Sequence, residues 1–150
     1  MPSVTPFLWF NDNAEAAVAF YASVFPDVAV TSRMQAGGKV MSVTFTVCGQ
    51  TLIALNGGPH FTFTEAISLF VSCQDQAEVD RYWDALTADG GSPSRCGWLK
   101  DKFGLSWQVV PVQLGQLLGD ADPVRAQRVM AAMMTMSKLD VAALQAARQG

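Results

Sequence analysis

The apolar and polar positions of the chain form the same succession twice. The first copy has a strand-like run, "TPFLWF" from Thr5, then a helical pattern, then the strand-like runs "VAVTSR", "KVMSVTFTV" and "QTLIALN". The second has "ISLFVS" from Ile67, a helical pattern, a glycine-rich connection, "GWLK" and "LSWQVVP". Alternating apolar runs predict strands, and a spacing of three to four predicts helices. Chance could produce part of this match, but the order of all elements favours a duplicated βαβββ unit with a period of about sixty residues.

The starts and stops of the two predicted helices are also alike. The strings "DNAE" at 12–15 and "DQAE" at 75–78 each place an Asp at the helix start and a Glu three residues later. This spacing is typical of a capping box, in which the Asp side chain accepts from a backbone N–H and the Glu reaches back. Pro26 and the pair Gly90–Gly91 then end the two helices. Both copies therefore predict a helix between the first and second strands.

The chain changes character from Val112, where Ala, Met, Leu and Gln replace the β-branched clusters. We expect two or three short helices here. Asp122–Pro123 starts one, with Pro in its first turn, and Ser137–Asp140 offers a capping box for the last. Met130, Met133 and Met134 would share one helical face, which is typical of a core or a dimer interface.

Length and composition indicate one domain, with modules at about 4–57 and 66–111 and a helical tail at 112–150. Of the 150 residues 50% are hydrophobic and 15% are charged, which argues against disorder. The net charge of −3 and the absence of a basic run argue against nucleic acid as a partner. No apolar run approaches the roughly 18 residues of a membrane-spanning helix, and no signal-peptide pattern opens the chain. Three widely spaced cysteines, Cys48, Cys73 and Cys96, predict reduced thiols in a cytoplasmic protein.

Four strings resemble one known family: "WFNDNAEAAVAFY", "NGGPHFTFTEAISLFVSC", "CGWLKDKFGLSWQVVP" and, in the tail, "RVMAAMMTMSKLDVAAL". They are similar to the PhnB-like, or "3-demethylubiquinone-9 3-methyltransferase" domain, proteins of the glyoxalase (vicinal-oxygen-chelate) superfamily. The resemblance implies an α+β protein with tandem βαβββ modules forming a curved mixed sheet, the glyoxalase/bleomycin-resistance/dioxygenase fold, plus the helical tail. It also implies a cup-shaped ligand site, formed within one chain or across a homodimer. We expect a homodimer.

The methyltransferase description has no support in the residues. A nucleotide-like methyl donor is typically held by a glycine-rich turn between a strand and a helix. The corresponding turns here, "FNDNAE" and "SCQDQAE", contain no glycine.

The resemblance also allows a test for a metal site. Metal-dependent relatives take four ligands from the first and last strands of the two units, and the family hairpin Asp-x-x-Gly maps onto Asp101 and Gly104. The equivalent ligand positions here are Pro6 or Phe7, Leu52 or Ile53, Ser68 and Gln108. One amide oxygen cannot hold a transition metal, which needs several His, carboxylate or thiolate donors. We therefore expect a metal-free cup and no cofactor.

Strand alternation indicates which side chains face the cup. Phe7 and Trp9 share a face of the first strand, whereas Ser68, Phe70 and Ser72 face inward on the fifth and Ser106, Gln108 and Val110 on the last. Ile67, Leu69 and Val71 would pack on the helices instead. The loop between the units adds Asn56 and His60. The predicted ligand-contacting residues are Phe7, Trp9, Asn56, His60, Ser68, Phe70 and Gln108.

Several of these positions have a second interpretation. Trp9 fits a core aromatic as well as a ligand-stacking one, and Trp107 fits the core. His60 fits an ordinary loop residue better than a general acid or base. The charges Lys100, Asp101 and Lys102 are typical of a solvated turn, or they form a charged rim that attracts an anionic group.

The sequence thus predicts a protein that binds a small hydrophobic or weakly polar molecule in its cup, without a nucleic-acid or membrane partner. Whether it catalyses a reaction is left open. One alternative is a lyase or isomerase of the same superfamily, acting through His60, Glu65 or a degenerate metal site. Another is a vestigial cup filled by its own side chains.

Overall fold

The computed structural model of the chain describes residues 1–150 and contains eight strands and five helices. Two four-stranded mixed sheets carry the strands, and the chain divides into the units Met1–Phe63 and Thr64–Gly150. The elements of the first unit are β1 Phe7–Phe10, α1 Ala14–Val24, β2 Val28–Ala36, β3 Lys39–Val47 and β4 Gln50–Asn56. Those of the second are β5 Leu69–Cys73, α2 Gln76–Thr87, β6 Ser92–Pro93, β7 Trp98–Lys100, β8 Ser106–Pro111, α3 Val112–Leu118, α4 Pro123–Met133 and α5 Val141–Gln149. The predicted α+β class with two βαβββ modules is confirmed.

The first unit has the sheet order β1-β4-β3-β2, with β1 parallel to β4 and the other neighbours antiparallel. Helix α1 covers one face of this sheet, where Phe10, Phe45 and Leu52 are buried together with Tyr21 of the helix. Alternation along the strands puts the remaining side chains on the other face, which no helix of this unit covers. We call the face of each sheet that lies opposite α1 or α2 its open face.

Helix α1 begins differently from the prediction. Its N-cap residue is Asn13, whose side chain makes no capping bond, so the expected capping box from Asp12 is wrong. Instead the amide of Asn56, at the end of β4, accepts from the Ala14 N–H at 2.9 Å and donates to the Val40 carbonyl at 3.1 Å. One side chain thus satisfies a helix-start N–H and ties the helix to the sheet.

The second unit repeats this arrangement, with the order β5-β8-β7-β6 and β5 parallel to β8. Here the predicted cap is confirmed, because Asp75 accepts from the Glu78 N–H at 2.9 Å. Glu78 also reaches back, but it accepts at 2.8 Å from the N–H of Gln74, one residue before the N-cap. Helix α2 buries Trp83 and Leu86 on the face of the sheet that carries Trp107. Beyond α2 the residues Ala88–Gly90 form a turn in which Asp89 takes a left-handed conformation, with φ 57°.

The tail forms three helices around a small apolar cluster of its own. The buried members of this cluster are Val110, Leu114, Val129, Leu139 and Leu144. Asp122 caps α4 with Pro123 in its first turn, as predicted, whereas α5 is capped by Asp140 and not through Ser137.

Two sets of hydrogen bonds attach the tail to the rest of the second unit. The amide of Gln76 donates to the Leu139 carbonyl at 3.0 Å and accepts from the Val141 N–H at 2.8 Å. The N–H groups of Cys96 and Gly97 each donate at 2.8 Å, to the Met136 and Ser137 carbonyls. The tail is therefore part of this unit and not an appendage.

The structure corrects one packing prediction and refines another. Ile67, expected to pack on a helix, precedes β5 and is 56% exposed. Of the three methionines on one face of α4, Met133 packs on the tail cluster, whereas Met130 and Met134 are exposed. None of the five helices is long and apolar enough to cross a membrane.

Candidate functional site

The candidate residues of the second unit lie together on the open face of its sheet. Phe70 and Trp98 are both paired with Gln108, and Lys100 is paired with Ser106. Paired positions carry their side chains on the same face of a sheet. These five side chains therefore form one surface, which faces away from α2.

One half of this surface is an apolar depression of about 500 Å³, which we call the tail depression. The sheet supplies Phe70, Trp98 and Val110, and the tail helices supply Leu118 and Met133. Gln108 and Ser72 are the polar side chains on its floor. The tail thus provides one wall of a concavity whose floor is the sheet.

The other half is a depression of about 580 Å³ that carries more charged and polar side chains, which we call the hairpin depression because β6, β7 and their connection line it. Its polar side chains include Glu65, Arg95, Lys100 and Ser106. Cys96 and Trp98 line both depressions, so the two are adjacent.

Two features define the electrostatics of the hairpin depression. Glu65 and Lys100 form an ion pair, and the hydrogen bond from Lys100 is the largest of the effects that hold the pKa of Glu65 below its usual value. Ser106 is 1% exposed, and its Oγ has no hydrogen-bond partner in the protein. Proteins rarely bury a hydroxyl in this state.

Gln108 and Ser68, both predicted to face the cup, are joined by a hydrogen bond of 3.0 Å from Nε2 to Oγ. These are two of the positions at which the resemblance places the ligands of metal-dependent relatives. Here they offer an amide and a hydroxyl, and the corresponding positions of the first unit are apolar. No group of three or more His, Cys, Asp or Glu side chains in the chain is arranged so that it could hold a metal ion. This donor set does not fit a divalent transition metal.

Asp101 has a different role from the one that the sequence suggested. It is 2% exposed, so neither a solvated turn nor a charged rim describes it. Its Oδ1 accepts from the Phe103 N–H at 2.8 Å and the Leu105 N–H at 3.1 Å, and its Oδ2 accepts from Trp107 Nε1 at 2.9 Å. The carboxylate holds the turn between β7 and β8 and thereby positions Lys100 and Ser106.

The candidates of the first unit are spread over its open face and its final loop. Phe7 is 57% exposed. Trp9 donates from Nε1 to the Gly58 carbonyl at 2.9 Å and meets Phe61 edge to face at 4.9 Å. Trp9 is thus half-buried on the open face, between its two predicted roles.

The other two candidates of this unit contribute less to an open site. Both polar atoms of the Asn56 amide are already bonded to backbone groups, so a ligand contact there would have to break one of these bonds. His60 lies exposed in the loop after β4 and makes no hydrogen bond or ion pair. A general acid or base normally has a partner that orients it, and Glu65, the other residue considered for catalysis, is engaged by Lys100.

Several lining residues escaped prediction. Trp98 lies on a strand of only three residues, too short to show alternation. Lys100, on the same strand, was named only as part of a solvated turn or of a charged rim. Leu118 and Met133 belong to helices whose docking had no sequence signal. Ser106 was predicted on the correct face, but nothing in the sequence indicates that its hydroxyl is buried without a partner.

Two βαβββ units, each with a helix on one face of a mixed sheet and an open second face, define a protein of the glyoxalase fold. A glyoxalase/bleomycin resistance/dioxygenase domain from a Frankia species superimposes with a TM-score of 0.52 at 11% identity, over 74% of this chain and 92% of that one. A structural likeness at such low sequence identity supports the assignment of the fold and nothing further.

The chain belongs to the family described as 3-demethylubiquinone-9 3-methyltransferase, whose model matches residues 2–110. A PhnB protein from Bacillus cereus, which carries the same methyltransferase description, is 32% identical, with a TM-score of 0.67 over 74% of this chain and 100% of that one. Protein PA1353 from Pseudomonas aeruginosa is 23% identical, with a TM-score of 0.60 over 74% of this chain and 98% of that one. The comparison with curated proteins gave no match.

The family match ends before the tail, which we had expected to share the resemblance. The wall that Leu118 and Met133 contribute to the tail depression therefore lies outside the matched segment. The family description also finds no counterpart in the strand-to-helix turns, since α1 and α2 follow turns without glycine.

Proposed function

We propose that this glyoxalase-fold protein binds a small, mostly apolar molecule in the tail depression. The observation that carries the proposal is the exposure of Phe70, a residue that is 59% accessible beside Trp98 in a mostly apolar concavity. A large apolar side chain left open on a concave surface is typical of a binding site.

The size and chemistry of the depression support this proposal. Its volume of about 500 Å³ falls within the range of small-molecule sites. Gln108 donates to Ser68, which leaves its Oε1 without a protein donor and free to accept from a ligand hydroxyl or amide. A mostly apolar lining with two uncharged polar side chains, Gln108 and Ser72, suits a weakly polar ligand. The presence of the depression also favours binding over a vestigial cup filled by side chains.

The test uses 1-octanol as a neutral apolar probe and measures its binding to the full chain by calorimetry. Phe70→Ala should weaken binding about tenfold or more, because burying a phenylalanine side chain contributes roughly 1.5–3 kcal/mol. Ile67→Ala is the matched control, since Ile67 is equally exposed, at 56%, but lines neither depression. Equal affinities of the two variants for 1-octanol would refute the proposal.

Gln108 gives a second, independent test. Gln108→Ala should reduce the thermal stabilisation by 1-octanol, because the hydroxyl loses its acceptor, whereas a saturated hydrocarbon probe should be unaffected. A Gln108→Ala variant with unchanged 1-octanol stabilisation would remove Gln108 from the site.

We further propose that the protein is a homodimer. In the first unit Phe7 is 57% and Phe61 is 66% exposed, and eight of the nine residues of the edge strand β2 are exposed. Exposed aromatics and a long uncovered edge strand are features that stable proteins usually cover. Sedimentation velocity over a range of concentrations should show a species of twice the chain mass, and a monomer throughout would contradict this proposal.

A cytoplasmic location is also proposed, on the basis of the three cysteines. All are free: Cys48 is exposed, Cys96 is partly buried, and burial raises the pKa of the Cys73 thiol to about 11. Alkylation of the protein in lysed cells should find three reduced thiols after denaturation. Oxidised cysteines in freshly lysed cells would contradict the proposal.

A further inference from the structure

The hairpin depression contains a polar group that the protein itself does not use. The Ser106 hydroxyl is 99% buried, lines the depression and has no partner. A buried hydroxyl without a hydrogen bond destabilises the folded state, whereas a ligand atom that accepts its hydrogen would satisfy it. The position of Ser106 thus points to a polar group supplied from outside the chain.

The charges around Ser106 indicate the sign of that group. Lys100 lies directly opposite Ser106 in the strand pairing, and Arg95 lines the same depression without an ion pair of its own. Glu65 is the single carboxylate among the lining residues, so cations outnumber it two to one. Its ion pair with Lys100 is largely exposed, at 41% for Lys100 and 61% for Glu65. An exposed pair of this kind contributes little to stability, so a ligand anion can take the place of Glu65.

We propose that the hairpin depression binds the anionic head of an amphipathic small molecule whose apolar body lies in the tail depression. Trp98, which lines both depressions, would contact the ligand where its head joins its body. Ser106 donates its O–H and Lys100 an N–H to the head. This inference rests on the proposed binding of an apolar body, and it adds the ligand class: a small molecule with an apolar chain or ring and one carboxylate, sulfonate or phosphate group.

The test compares two probes with the same chain, 1-octanesulfonate and 1-octanol, by calorimetry on the full-length protein. The sulfonate should bind about tenfold tighter, because hydrogen bonds to a charged group are stronger than those to a neutral one. Ser106→Ala and Lys100→Met should each remove most of this difference and change the affinity for 1-octanol less than about twofold. Glu65→Gln should tighten sulfonate binding alone, because it removes the competing carboxylate.

Lys102→Met is the matched control for charge. Lys102 lies on the same hairpin and is exposed, but it does not line either depression. Lys102→Met should therefore leave sulfonate binding unchanged, although it alters the net charge as Lys100→Met does.

The possible outcomes separate this inference from the proposed function. If neither probe binds, the proposed function fails and the inference fails with it. If both bind equally and Ser106→Ala and Lys100→Met have no effect, the inference alone is overturned. The inference is likewise overturned if Lys102→Met weakens sulfonate binding as much as Lys100→Met, since the attraction would then come from net charge.

Discussion

Asp101→Asn tests whether a buried carboxylate holds the β7–β8 turn in place. Asparagine can keep its carbonyl oxygen toward the Phe103 and Leu105 N–H groups, which Asp101 Oδ1 binds at 2.8 and 3.1 Å. Its NH₂ group then replaces Oδ2 and faces the Trp107 Nε1–H, a donor that lies 2.9 Å from Oδ2. Two donors would meet in a site where Asp101 is 2% and Trp107 3% exposed.

The loss of stability in Asp101→Asn follows from these contacts. Losing a hydrogen bond to a charged group typically costs about 1.5–3 kcal/mol, and a buried donor left unpaired adds about 1 kcal/mol or more. We therefore expect Asp101→Asn to lower the free energy of unfolding by about 3 kcal/mol, a large fraction of the 5–15 kcal/mol of an ordinary domain. Urea denaturation followed by circular dichroism measures this loss.

A double-mutant cycle with Trp107→Phe isolates the hydrogen bond between Trp107 Nε1 and Asp101 Oδ2. Phenylalanine removes the Nε1 donor, so in that background Asp101→Asn should cost only about 1 kcal/mol, which leaves a coupling of about 2 kcal/mol between the two positions. Hydrogen exchange at the Phe103 and Leu105 amides gives a local measurement, and it should accelerate in Asp101→Asn. The reasoning is refuted if Asp101→Asn costs less than about 0.5 kcal/mol, or if it costs the same in both backgrounds.

Further predictions concern a turn, the tail and the hairpin depression. Cys48 has a left-handed conformation, with φ 48°, in the β3–β4 turn, and Asn adopts this conformation more readily. Cys48→Asn should therefore raise the free energy of unfolding, measured by urea denaturation, by about 0.5 kcal/mol. Gln76→Ala should cost about 1–2 kcal/mol and speed hydrogen exchange at the start of α5, because two hydrogen bonds to the tail are lost. Ser106→Ala should raise the free energy of unfolding by about 1 kcal/mol while it weakens sulfonate binding, and a destabilised variant would contradict the unpaired state of this hydroxyl. The lowered pKa of Glu65 keeps its carboxylate ionised and paired with Lys100 above pH 4.5. The pairing is lost as the pH falls through the folded-state pKa of Glu65, so sulfonate binding should tighten there. The Glu65→Gln variant should not show this tightening.

The strands were largely predictable, because their information is local. The bounds predicted for β3 and β4, Lys39–Val47 and Gln50–Asn56, are those observed, since an alternating run and a continuous apolar run flank a two-residue turn. The cap of α1 was not predictable in this way. The Asn56 side chain reaches a helix start 42 positions away, and the local string "DNAE" suggested a capping box that does not form.

The site was predictable only where it follows strand alternation. Ser68, Phe70 and Gln108 were placed on the correct face, and the structure brings them together. Asp101 was misread because a charged residue in a turn is normally solvated, and only the folded turn shows that it accepts three hydrogen bonds in the interior. The tail wall depends on how α3 and α4 dock, which helix periodicity does not specify.

The tail contributes to ligand preference through residues that lie outside the family segment. The family segment supplies the floor of the tail depression through Phe70 and Gln108, but it ends at residue 110, before the side chains of Leu118 and Met133. Since apolar ligands are selected mainly by the shape of the surface that encloses them, the wall should decide which apolar body fits. Leu118→Ala and Met133→Ala should therefore widen the range of ligand chain lengths that bind, without abolishing binding. Changes at Phe70 should instead weaken the binding of all these ligands alike. A description carried over from the matched segment cannot specify a ligand that is enclosed by residues beyond it.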